Sequence, residues 1–248
     1  MRYCSFATRD YLILENLTLS QDLSLLEIGV GLGSVVEKMI GKVKEYYGVD
    51  IACEVIDYLT LLYKDISFVH FNCLDVCKDS SSLNKKFNVI FSTHTLEHVD
   101  FPQGYFNFIK KHLKLNGFAF VVFPNETQDK HHGIAWFDNK NELLEIIDKA
   151  NLKVTKLLEV KETIWHRTIK KLFWEIPKSI ILRNKKNPQT FEETDAFKII
   201  KSHNLKTNII AFYAKIVTEL AAIFPLHEYK EIGENIQNKT LFVRLIHK

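Results

Sequence analysis

The chain has 248 residues, 46% of them hydrophobic, and a net charge of +3 at pH 7. That length and apolar share suit one large domain, or one domain with an elaborated lobe. So small a charge excess excludes wholesale nucleic-acid binding, although a local basic patch stays open. The four cysteines (Cys4, Cys53, Cys73, Cys77) show no C-x-x-C spacing. They read as small buried hydrophobes, with no metal site and no disulfide framework, so a reducing cytoplasm is the expected compartment. The amino terminus lacks the apolar run of a signal peptide. The most apolar window, Ile209 to Phe224, carries Lys215 and Glu219 and is too short to span a bilayer.

In chain order, Ala7, Tyr11, Leu12, Leu14 and Leu17 recur among polar residues and predict an amphipathic helix over about 7–18. A strand over Ser24–Ile28 then enters Gly29-Val30-Gly31-Leu32-Gly33-Ser34. Glycines there permit a tight turn and let a ligand approach the backbone. A helix over about Gly33–Ile40 follows, its first N–H groups facing whatever binds. The dinucleotide fingerprint G-x-G-x-x-G/A is incomplete, because Ser34 occupies its sixth position. Strand two ends on Asp50, where a carboxylate can accept hydrogen bonds from both ribose hydroxyls of an adenosine. The same residue can also cap the next helix, which starts near Ala52.

A third strand, Ser67–Phe71, leads to Leu74-Asp75-Val76, from which Asp75 could reach an adenine amino group. Strand four, Phe87–Ser92, is followed by Thr93 to Val99. Pro102 suits the first turn of a helix that Asn116-Gly117 closes, and Phe118–Phe123 reads as a fully buried parallel strand. A helix over about Asn141–Ala150, a strand over Lys153–Val160 and a last strand over Thr240–Ile246 complete the pattern.

Four segments in this order resemble the class I S-adenosylmethionine-dependent methyltransferases. Glu27-x-Gly29-x-Gly31-x-Gly33 is similar to the family's first motif, and Tyr47–Asp50 to the acidic end of its second strand. Phe87-Asn88-Val89-Ile90 with Leu96-Glu97-His98-Val99 resembles the F-D-x-V…L-E-H-V run. Leu113 to Gly117 with Phe123-Pro124-Asn125 resembles the L-K-P-G-G…P-N stretch. Two departures are Asn88 in place of the usual Asp and Leu115-Asn116-Gly117 in place of Pro-Gly-Gly.

The resemblance covers about residues 20–160. It implies an α/β Rossmann-like sheet of seven strands, six parallel and the last inserted antiparallel, with helices on both faces. It divides the chain into a cofactor-binding core (1–160), a mostly helical insertion or acceptor lid (161–238) and a last core strand (239–248). The implied cofactor is S-adenosylmethionine. Gly29, Gly31 and Gly33 would lie near its methionine portion and ribose, with Glu27 supporting the loop or the methionine amino group. Asp50 would hold the ribose with Ile51 beside it, Leu74, Asp75 and Val76 would frame the adenine, and Ser92, Thr93 and His94 would close the site.

Methyl transfer chiefly needs alignment of nucleophile, methyl carbon and sulfur. An alcohol acceptor also benefits from a general base, and histidine titrates in the working range. The candidates are His94, His98 and the favoured pair His131-His132 beside Trp136-Phe137. Between Lys161 and Thr190 the chain carries eight Lys or Arg against two Glu, interleaved with Trp165, Phe173 and Trp174. That excess suits a phosphate- or carboxylate-bearing acceptor or an anionic surface, and the apolar stretch Leu205–Phe224 suits a lid or homodimer face. The favoured reading is O-methylation of a nucleotide-linked or polysaccharide sugar, or a similar small polar acceptor, in carbohydrate biosynthesis. Its rivals are an RNA methyltransferase, an NAD-dependent sugar-modifying enzyme and a non-catalytic cofactor-binding partner module.

Overall fold

The structure is a computed structural model and describes residues 9–78, 83–126, 137–177 and 205–248. The elements are α1 (Arg9–Leu14), β1 (Ser24–Ile28), α2 (Val36–Met39), β2 (Glu45–Asp50), α3 (Cys53–Leu62), β3 (Val69–Cys73), β4 (Phe87–Thr93) and α4 (Pro102–His112). They continue with β5 (Leu113–Asn125), α5 (Lys140–Lys149), β6 (Leu152–Glu162), α6 (Ile164–Lys170), α7 (Leu205–Ala221), β7 (His227–Glu231) and β8 (Lys239–His247). The chain divides into two compact units, residues 16–160 with 229–248 and residues 1–15 with 161–228.

The first of these units holds the sheet. Its strand order is β3-β2-β1-β4-β5-β8-β6-β7. Neighbours from β3 to β5 are parallel, and β8 runs antiparallel between β5 and β6. The sheet thus has eight strands rather than seven. The extra one is β7, whose sequence His-Glu-Tyr-Lys-Glu has too few apolar residues to read as a strand. β1 is buried along its whole length and β4 over most of it, as parallel strands covered on both faces must be. Aromatic residues supply much of the filling, with Phe91, Phe120 and Phe242 stacked in a row at centroid spacings of 5.8 Å.

Two local expectations change. The helix after the glycines is one turn, Val36–Met39, and ends in a turn around Gly41. Asn116-Gly117 does not close α4. The helix stops at His112 and β5 begins at once, with Asn116 and Gly117 in a bulge between the Phe87–Leu113 and Val89–Phe118 pairs.

The cysteines also depart from expectation, because Cys53 and Cys73 form a disulfide with Cα atoms 5.0 Å apart. Both are exposed, so they are not core hydrophobes. Their twenty-residue separation carries no spacing motif, and the contact arises because parallel β2–β3 pairing brings the end of β3 beside the start of α3.

In the second unit, polar side chains meet in pairs around two buried histidines, His166 and His227. Glu15 accepts from the Leu226 N–H at 3.1 Å and meets His227 Nδ1 at 3.0 Å. The His227 ring lies edge-on to fully buried His166, and Lys170 donates to Glu162 at 3.0 Å. Trp165 donates its indole N–H to the Ala221 carbonyl, tying α6 to the end of α7. Among the described residues no helix is long and apolar enough to cross a membrane.

Candidate active site

The end of β1 turns on Gly29, whose N–H donates to the Val49 carbonyl at 2.8 Å, so the turn is anchored to β2. Gly29, Gly31 and Gly33 all have positive φ (76°, 47° and 71°), a region that costs other residues strain. Gly29 has a second reason to be glycine: a β-carbon there would overlap the Thr95 hydroxyl. A β-carbon on Gly31 would meet nothing within 4 Å, so that part of the turn faces open space.

Asp50 sits opposite, at the tip of β2. Its Oδ2 accepts from the Gly31 N–H at 2.9 Å and its Oδ1 from the Ala52 N–H at 3.0 Å. Each oxygen keeps a second lone pair, so the carboxylate holds the turn and α3 in place and can still accept from a ligand. Ile51, next to it, is 69% exposed. Glu27 is buried one turn behind and accepts from the Tyr46 hydroxyl, so it braces β1 against β2 rather than opening to solvent.

Leu74 and Val76 are buried after β3, and the Leu74 N–H donates to the Asp50 carbonyl at 3.0 Å. Asp75 accepts from the Cys77 N–H at 2.9 Å and pairs with Lys78 at 2.9 Å. Burial pushes the Asp75 carboxyl up, but the Lys78 ammonium and the Cys77 N–H outweigh it and hold it below its ordinary value.

β4 completes the floor. Ser92 is fully buried and donates its hydroxyl to the Ile28 carbonyl at 2.9 Å. Thr93 is half-buried and pairs with Val122 of β5. His94 follows at φ 54°, a strained backbone conformation for a residue with a β-carbon, and its N–H donates to the Val122 carbonyl at 2.8 Å. Its Nδ1 lies 3.4 Å from Glu97 Oε1, and His98 Nε2 lies 3.9 Å from the same oxygen. Glu97 is almost fully buried. Tyr105 is buried beside Ser92 and Glu97, and burial first and then that carboxylate push its phenol well above the ordinary range.

The fold therefore brings Glu27, Gly29, Gly31, Gly33, Asp50, Ile51, Ser92, Thr93, His94 and His98 to the carboxyl ends of β1, β2 and β4, with Leu74 to Val76 just beyond β3. That is where an open α/β sheet binds its ligands. His131 and His132 lie outside the described residues, as do Lys178, Arg183, Lys185 and Lys186 of the basic stretch. Sequence reasoning missed Thr95, which packs on the glycine turn, and gave no role to Glu97, although both stand between the two histidines. No group of three or more potential metal ligands occurs among the described residues. An open cleft of about 420 Å³ lined by Tyr47, Tyr63, Lys64 and His70 lies along edge strand β3 rather than at the glycine turn.

A family model described as a methyltransferase domain matches residues 6–157. No curated protein matches the chain in sequence. Among solved structures, a phosphoethanolamine N-methyltransferase of Haemonchus contortus shares 15% identity at a TM-score of 0.56, covering 97% of this chain and 52% of that one. This chain thus spans about half of that protein. Geranyl diphosphate C-methyltransferase of Streptomyces coelicolor shares 9% identity at 0.55, covering 98% and 78%. A Bacillus halodurans protein assigned to the methyltransferases shares 14% identity at 0.52, covering 96% of both chains. At such identities the likeness is one of fold. The site suits a bound S-adenosylmethionine by its own geometry, with open space over Gly31 and an acceptor carboxylate on Asp50 beside exposed Ile51.

Proposed function

Because this chain belongs to the class I S-adenosylmethionine-dependent methyltransferases, matched over more than half its length, we propose that it O-methylates a small polar acceptor, a nucleotide-linked or polysaccharide sugar, with histidine as general base. The observation that carries this reading is His94. It is half-buried, held at strained φ against Glu97, and lies one residue from the Thr95 that packs on the cofactor turn.

Bound S-adenosylmethionine supplies a methyl group already activated on a sulfonium. In this reading Asp50 accepts from the ribose hydroxyls, with Ile51 covering the sugar's apolar side. Leu74 and Val76 frame the adenine, and Asp75 faces its amino group. Gly29, Gly31 and Gly33 leave room for the methionine portion, and Glu27 stiffens the strand beneath them. Ser92 and Thr93 form the floor. His94 presents Nδ1 to Glu97, so Nε2 takes the proton of the acceptor hydroxyl as the new bond forms. His98, His131 and His132 are the alternative bases.

The basic stretch from Lys161 supports an acceptor that carries phosphate. Two fold neighbours are consistent with that, being named for phosphoethanolamine and geranyl diphosphate. The test is incubation with isotopically labelled S-adenosylmethionine and a panel of nucleotide-linked sugars, with phosphoethanolamine and geranyl diphosphate as comparators. Label on a sugar oxygen is the expected result, and label only on an amine or a carbon would replace the reading. A His94→Gln variant should lose about a hundredfold in turnover while binding S-adenosylhomocysteine as before, and unchanged turnover would remove it as the base.

A further inference from the structure

The Cys53–Cys73 disulfide sits on the two segments that Asp50 joins. Cys53 is the first residue of α3, two positions after Ile51. Cys73 is the last residue of β3 and pairs directly with Asp50 in the parallel β2–β3 ladder. The next residue, Leu74, donates its N–H to the Asp50 carbonyl, and the Ala52 N–H donates to the Asp50 carboxylate. The cross-link thus ties together the two segments that flank Asp50, with the ribose side at 50–52 and the adenine side at 74–76. Both cysteines are exposed, so a small thiol or a dithiol protein can reach either sulfur. The third described cysteine, Cys77, is half-buried, and burial pushes its thiol up.

We propose that Cys53 and Cys73 form a reversible redox-modification site that sets the cofactor affinity. The oxidised pair holds Asp50, Ile51 and Leu74 in the geometry that receives the adenosine, and the reduced pair lets α3 and the β3 end move apart. The inference rests on the placement of the adenosine at Asp50 given above. The chemistry is thiol–disulfide exchange. One thiolate of a dithiol attacks an exposed protein sulfur and forms a mixed disulfide. The second thiolate resolves it. Two electrons and two protons pass to the protein, leaving two cysteine thiols and the reductant as its own disulfide. A disulfide oxidant such as oxidised glutathione reverses the step. In a reducing compartment the enzyme would run in the weaker-binding state, and oxidation would tighten its hold on the cofactor and on the demethylated product.

The experiment is calorimetric titration of the full chain with S-adenosylhomocysteine after dithiothreitol and after oxidised glutathione, with thiols counted by alkylation and mass spectrometry. The expected result is a 53–73 cross-linked peptide only in the oxidised sample, and binding roughly three- to tenfold tighter there, the scale of ordering one short segment. Cys53→Ser and Cys73→Ser should each bind like the reduced protein under both treatments, whereas Cys77→Ser should keep the difference. The wild-type comparison needs no variant to fold. Equal affinities, weaker binding when oxidised, or absence of the cross-linked peptide would each overturn the proposal while leaving the cofactor placement standing. No binding in either state would overturn both.

Discussion

At the carboxyl ends of β1, β2 and β4 each polar contact that holds the turn has a backbone group on at least one side. Gly29 and Val30 donate to the Val49 carbonyl, Gly31 and Ala52 donate to Asp50, and Ser92 and Thr95 donate to the Ile28 carbonyl. In the helical unit the contacts run between side chains, the longest of them across most of the chain. Glu15 meets His227 across 212 residues, His166 is sealed beside that pair, and Glu162 meets Lys170. The first arrangement sets a few residue types against backbone groups that the strand pairing fixes in place. The second requires only that distant side chains find one another once the chain has folded. A cofactor common to a large family can be held by the first kind, while the second is free to differ from member to member.

The sharpest way to separate the two regions is Gly29→Ala. The added carbon would overlap Thr95 and sit at φ 76°. The expected cost is about 3 kcal/mol of stability, read as a lower urea midpoint. A loss below about 0.5 kcal/mol would show that Thr95 moves aside and that the close approach constrains nothing.

Asp50→Ala comes next. It removes the acceptor for the Gly31 and Ala52 N–H groups along with the ribose contact proposed for it. Hydrogen bonds to a charged group contribute about 1.5–3 kcal/mol, so affinity for S-adenosylhomocysteine should fall roughly a hundredfold in calorimetry. An unchanged affinity would move the adenosine away from β2.

Glu15→Ala tests the other region. It strands His227 and the buried Leu226 N–H and should cost about 2 kcal/mol, again by urea unfolding. The comparison predicts that S-adenosylhomocysteine affinity stays as in the wild type. A parallel loss of affinity would mean that the two regions are energetically coupled.

The same contrast explains what could be read from sequence. β1 and β4 were legible because buried parallel strands are short apolar runs, and the turn because Gly29, Gly31 and Gly33 all sit at positive φ, which strains a residue with a β-carbon, Gly29 lying against Thr95 as well. Asp50 was legible because it ends a strand at a fixed distance from the turn. The disulfide was not, since Cys53 and Cys73 meet only through the β2–β3 register. Nor was Glu97, whose role depends on burial under His94 and beside Tyr105, which no local spacing reports. β7 escaped notice because its residues alternate weakly, and strand status comes from the neighbour it pairs with.

The smallest expected effect is a pH dependence confined to the side-chain network. Burial is the largest influence on His166 and disfavours its imidazolium. Glu162 pulls the other way, His227 and Lys170 push with burial, and the net shift is downward from 6.5. The unfolded chain then binds more protons than the folded one in the window below 6.5, so stability falls as pH falls through it. Glu162 acts in the same direction at lower pH. Burial alone would raise its carboxyl, but the Lys170 hydrogen bond and nearby positive charge hold it below 4.5, so its contribution is lost as acid protonates it. Urea midpoints should therefore drop between about pH 7.5 and 5.5, and His166→Asn should flatten that part of the profile without altering S-adenosylhomocysteine affinity. A midpoint that rises on acidification would mean that His166 gains a proton in the folded state, with Glu162 rather than burial governing the pair.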